Sequence, residues 1–156
     1  MNKITEILNS IDFTKLVPDL DTMLGKLQMA ATVAILIGPL VLLVLGLIYL
    51  LIPPKEANHH AGFRTYFGMG SVEAWQFTQR LAGIVLGALG LVLTVVMLVI
   101  YNDLLKSTDI LQVALTAGKS LIWQIGLVAL AYFGISVTAF IMFDRKGNYR
   151  FGKKRR

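Results

Sequence analysis

The sequence predicts an all-α integral membrane protein with three transmembrane helices and an N-terminal amphipathic helix. Three observations carry that expectation. Hydrophobic residues make up 56% of the 156 residues, and charged residues only 15%, against the quarter usual in soluble domains. Mean hydropathy is +0.69. Three uncharged apolar runs are each long enough to cross a bilayer, which takes about 20 residues. They are Ala30 to Ile52, Leu81 to Tyr101 and Leu121 to Phe143. Hydrocarbon offers backbone groups no partners, so each span is expected to be helical.

The N-terminal segment, residues 1–29, has a different pattern. Ile4, Ile7, Leu8 and Ile11 recur at helical spacing, and Leu16, Val17, Leu20, Met23, Leu24 and Leu27 continue it. This predicts one amphipathic helix, or two joined near Asp12 to Pro18. Its polar face mixes Lys3, Glu6, Asp12, Lys15, Asp19, Asp21 and Lys26. Interfacial helices that bind anionic lipid usually have a basic face; this one is near neutral, so a protein partner competes with lipid. The opening "MNKITEILNSIDF" lacks the basic start and apolar run of a secretion signal, and no cleaved leader is expected.

The membrane domain spans residues 30–143. Pro39 lies inside the first span, where it removes a backbone bond and predicts a kink near Gly38–Pro39. Pro53 and Pro54 end that helix. Residues 53–80 then connect it to the second span, and residues 102–120 connect the second to the third. Gly83, Gly87 and Gly90 fall on roughly one face of the second span, a pattern that permits close helix contact. Packing within the three-helix unit is favoured over self-association. Gln124 is the most polar side chain of the third span, and an interhelical hydrogen bond is its expected role.

Residues 144–156 form a basic tail that holds seven of the fifteen lysines and arginines. Near the spans, the side with the 53–80 connection and the tail carries ten basic residues, and the other side five. The positive-inside rule therefore predicts a multi-pass membrane protein with its C-terminus in the cytoplasm. The net charge of +6 is explained by orientation and anionic lipid rather than by nucleic acid.

Much candidate chemistry is excluded by residue type. With no cysteine, the chain has no disulfide, thiolate nucleophile or cysteine metal site. His59 and His60 are adjacent, with only Glu56 nearby, too thin a ligand set for a metal. No phosphate loop, triad or paired acid is present, and no charge lies in a span to serve an ion or proton path. The expected protein is not an enzyme and takes no metal or other cofactor.

One stretch exceeds the needs of a polar loop: "GFRTYFGMGSVEAWQFTQRLAG", Gly62 to Gly83. Ser71 is a good N-cap for a helix starting at Val72, and Glu73 suits the positive end of that helix. The helix is expected to run unbroken into the second span. Trp75 and Gln79 share a face, and Trp75 is expected to mark headgroup depth. Arg80 can snorkel to the headgroups. Arg64 fits no simple anchoring role: it could pair with Glu73, or hold a carboxylate or phosphate. The expectation is that Arg64, Glu73 and Trp75 form one interfacial site.

The stretch resembles the motif of the SdpI family of bacterial membrane proteins, named for immunity to a sporulation-delaying toxin. The matching residues are Gly62, Arg64, Thr65, Ser71, Glu73, Trp75, Arg80 and Gly83, in register, after a span that ends in proline. Tyr66 stands where proline is usual, Gly68 where threonine or serine is usual, and Gln79 where asparagine or histidine is usual. The resemblance covers about Leu36 to Ile100. It implies immunity to a membrane-active peptide toxin, or relay of a membrane signal to a partner. A structural accessory subunit of a larger membrane complex is the alternative. The expected partners are the lipid bilayer and a peptide toxin or membrane protein, with homo- or hetero-oligomers both open.

Overall fold

A computed structural model of the chain describes residues 20–55 and 62–151. It contains three long helices, α1 (Leu20–Leu51), α2 (Val72–Lys106) and α3 (Ile110–Met142). All three are long and apolar enough to cross a membrane. Each sequence-predicted span lies inside one of them, save for a residue or so at the ends of the first and third.

Two boundaries differ from expectation. Residues 102–120 do not form a long connection, because α2 continues to Lys106 and α3 already begins at Ile110. An apolar window marks where a helix crosses hydrocarbon and is silent on how far the helix extends into water. Asp109 caps α3, its carboxylate accepting from the N–H groups of Leu111 and Gln112. The second difference is at the N-terminus. Residues 20–29 are not part of a separate amphipathic helix but are the first turns of the apolar helix α1. Nothing between Leu20 and Ala30 breaks a helix, and Gly25 sits in open space. The rest of the predicted amphipathic segment, and the His59–His60 pair, lie outside the described residues.

The helices run up, down and up. α1 and α2 pack antiparallel through their glycines. A methyl group built on Gly46 would collide with the backbone of Gly87 and lie 3.1 Å from the carbonyl oxygen of Gly83. One built on Gly90 would overlap the backbone of Leu43, and one on Gly83 would lie 2.7 Å from Leu50 Cγ. The glycine face expected on α2 is thus spent inside the protomer, against α1. Lipid tails are as apolar as side chains, so close backbone approach and dispersion supply much of the cohesion here.

The core divides along the bundle. Toward the α2–α3 turn, Ile35, Leu93, Met97, Leu104, Val113 and Ala117 pack together. Toward the other end, Ala82, Leu86 and Ile135 do so. Large apolar residues such as Ile37, Val44, Val95, Ile122 and Leu130 point outward, as a lipid-facing surface requires.

Gln124 makes the expected interhelical bond, and its partner explains its place. Pro39 has no N–H to give to the carbonyl of Ile35 one turn earlier. Gln124 Nε2 donates to that carbonyl at 2.9 Å. Gly38 leaves the room, since a methyl group there would lie 2.6 Å from Gln124 Oε1. The α3 glutamine thus fills the gap that the α1 proline opens. Gln124→Leu is expected to cost about 1–2 kcal/mol, the usual range for a buried carbonyl that loses its donor. In a Pro39→Ala background, where the helix supplies its own donor, the same change should cost well under half of that. Equal losses in both backgrounds, measured by detergent unfolding, would refute the pairing.

Candidate functional site: a polar clasp at one end of the bundle

The motif residues meet where α1 ends, α2 begins and α3 ends. Ser71 caps α2 as expected, its Oγ accepting from the N–H of Ala74 at 3.1 Å. The same hydroxyl donates to the carbonyl of Gly147 at 2.8 Å. One serine therefore satisfies the start of α2 and binds the segment that follows α3.

Trp75 is fully buried within the protein. Its Nε1 donates to the carbonyl of Pro54 at 2.8 Å, tying the end of α1 to the first turn of α2. One turn later Gln79, also fully buried, grips the loop. Its Oε1 accepts from the N–H of Phe63 at 2.8 Å, and its Nε2 donates to the carbonyl of Phe63 at 2.7 Å. A side-chain amide thus pairs with both polar groups of one loop residue, as a neighbouring strand would.

Gly62 is fixed by the same pair. Its φ of +112° is one that L side chains rarely adopt. A methyl group there would lie 2.5 Å from Trp75 Cζ2 and 3.1 Å from Gln79 Oε1. Thr65 is buried and its Oγ1 accepts from the N–H of Gly68 at 3.0 Å. Gly68 packs between Thr65 and Thr78, whose hydroxyls would each lie 2.5 Å from an added methyl group. The departure at Gly68 is therefore matched to a packed site.

Three charged motif residues point elsewhere. Arg64, Glu73 and Arg80 are exposed. Glu73 occupies the first turn of α2, where the helix dipole favours it. The backbone carbonyl of Arg64 accepts from Tyr132 Oη at 3.5 Å, at the limit of hydrogen bonding. The buried Trp75 and the exposed Arg64 and Glu73 thus occupy different environments.

The residues after α3 complete the clasp. Phe143 and Tyr149 form an antiparallel bridge, and the chain turns through Gly147 at a φ of +76°. Gly147 presses on Gly70 and Ser71 so closely that a methyl group would lie 2.5 Å from Ser71 N. The Asp144 carboxylate holds the turn by accepting from the N–H groups of Lys146 and Asn148 and from Asn148 Nδ2. Those Asn148 bonds lower its pKa below the ordinary value of 3.8. Phe143 is buried and stacks edge-on with Phe77 of α2.

The motif spacing placed Ser71 at the cap of α2, and Trp75 and Gln79 on the helix. It did not reveal Pro54, Phe63 or the turn at Gly147 as their partners. Those contacts are to backbone atoms, or lie far away in sequence, and leave no periodic trace. Among the described residues no group of three acidic or histidine side chains could hold a metal. The arrangement is one of positioning: it locks two helix ends, a loop and a turn, and leaves charged side chains on its outside.

The sequence model described as the SdpI/YfhL protein family matches residues 55–142, which include the whole motif and all of α2 and α3. No curated protein and no solved structure matches the chain.

Proposed function

The chain belongs to the SdpI/YfhL protein family, and from that premise we propose that it is a non-enzymatic membrane protein that protects the bilayer from a membrane-active peptide toxin or relays a membrane signal. One observation supports this reading above others. The family motif is spent on a rigid clasp whose interior side chains, Trp75 and Gln79, bind backbone groups. On its surface lie the exposed side chains of Arg64, Glu73 and Arg80. That suits recognition of a peptide or partner, and it offers no nucleophile with a base for chemistry.

Cells that make the protein should resist at least one of a panel of pore-forming peptides, scored by dye entry. Arg64→Gln and Arg80→Gln should weaken the protection while the protein accumulates normally. Equal killing with and without the protein across the panel would sink the immunity reading. Retention of a second membrane protein through purification in mild detergent would then favour an accessory role.

The proposed orientation puts the clasp in the cytoplasm, on the side with more basic residues. A single cysteine at Asn148 should be protected from an impermeant thiol reagent in intact cells, and one at Thr108 in the α2–α3 turn should react. The opposite labelling pattern would invert the topology.

A further inference from the structure

Between the motif loop and α3 lies an open groove of about 340 Å³. Its walls are Thr65, Tyr66 and Phe67 from the loop and Tyr132, Phe133, Ser136, Val137 and Phe140 from α3. We propose that this groove is a binding site for one anionic phospholipid, with an acyl chain along α3 and the headgroup phosphate at Arg150.

The walls are mainly apolar. Thr65 Oγ1 accepts from the N–H of Gly68, and Ser136 Oγ donates to the carbonyl of Tyr132. What faces the groove is mostly aromatic and aliphatic carbon. Tyr66, Phe133 and Phe140 at its mouth remain exposed, on the side of the bundle that meets lipid. The volume lies in the range of small-molecule sites.

The charge at one end selects the lipid. Arg150 lies with its guanidinium 4.7 Å from the ring centre of Phe140 and 5.9 Å from that of Phe67, both of which line the groove. Its Nε donates to the carbonyl of Phe143 at 2.9 Å, and its backbone N–H to that of Met142. The guanidinium is therefore held level with the end of α3, where a candidate membrane span ends. Its other donors make no hydrogen bond among the described residues, and its planar fork matches a phosphate. Arg145 and Lys146 add exposed positive charge in the same turn, against the single carboxylate of Asp144, which also feels the Arg150 charge. An apolar trough with a basic head at the membrane boundary fits an anionic lipid better than a neutral one. This holds whether the chain confers immunity or relays a signal.

The test uses the full chain in mild detergent, with phosphatidylglycerol and phosphatidylcholine of equal chain length, read by native mass spectrometry. One phosphatidylglycerol should be retained per chain, and Arg150→Gln should reduce its preference over phosphatidylcholine about fivefold, the worth of one basic residue near a lipid surface. Val137→Trp, which fills the trough and leaves Arg150 in place, should lower retention of both lipids. Equal retention of the two lipids by the wild type, or no effect of Val137→Trp, would overturn the assignment. So would displacement of the lipid by millimolar inorganic phosphate, which would mark a free-anion site. In native membranes, a photoreactive benzophenone side chain at Phe133 should yield a phospholipid adduct. An adduct with a protein, or with a second copy of the chain, would show another occupant and refute the proposal.

Discussion

Gly46→Ala should lower the melting temperature of the detergent-solubilised protein more than any other single methyl added to its helices. The α1 and α2 backbones meet at this point, and the added methyl group would collide with the Gly87 backbone. A flexible side chain can move aside, whereas a helix backbone yields only if the two axes separate. Separation would also loosen Gly90 from Leu43 and Gly83 from Leu50, which lie on the same seam. Overpacking of this kind costs about 1–3 kcal/mol in ordinary cores, and the upper end is expected where backbone meets backbone. Gly25→Ala and Gly126→Ala are the controls. Both sites are helical, with nothing within 4 Å, so alanine there should be neutral or slightly stabilising through better helix propensity. If Gly46→Ala melts with those controls, the helices do not pack through this seam.

The two sides of that seam were unequally legible in the sequence. Gly83, Gly87 and Gly90 repeat at helical spacing and announce a contact face. Gly46 is a single glycine in a run of leucine and valine, and nothing local identifies it as the partner. The same asymmetry runs through the rest of the molecule. The start of α2 could be placed to the residue, because Ser71 and Glu73 are a start signal written two positions apart. The extent of α2 and α3 beyond the apolar windows was missed, although Val113, Ala117, Ser120 and Gln124 recur on one buried face of α3. Gln124 was legible as a polar residue needing a partner, but the particular carbonyl it meets depends on how α1 and α3 are set against each other. In the motif, residue types suggested belt, cap and anchor. Tryptophan suits the headgroup level and the protein interior equally well, and only the third dimension places Trp75 under Gly62 and against Pro54.

Gln79→Leu should unfasten the motif loop and remove function while the three spans still insert. Leucine fills nearly the same volume, so the packing around Trp75 and Ala82 persists. What disappears is the pair of bonds to Phe63, one to its N–H and one to its carbonyl. Each polar group left without a partner costs about 1–3 kcal/mol where water cannot reach it. Phe63 is only partly buried, so water recovers some of this, and a loss of about 2–3 kcal/mol is expected for the pair. Gln79→Glu separates the two bonds. The carboxylate still accepts from the Phe63 N–H but turns an oxygen toward the Phe63 carbonyl, where lone pairs repel. It should therefore be no better than leucine at neutral pH and should recover as acid protonates the carboxylate and restores a donor. Gly62→Ala should resemble Gln79→Leu, because a side chain at a φ of +112° that also strikes the Trp75 ring displaces the same loop. Loop release is read by limited proteolysis near Arg64 and Tyr66, and function by protection from the peptide panel. The clasp matters if all three variants become cleavable and lose protection together. If Gln79→Leu stays as resistant to protease as the wild type and still protects, the amide pair with Phe63 is not what holds the motif in place.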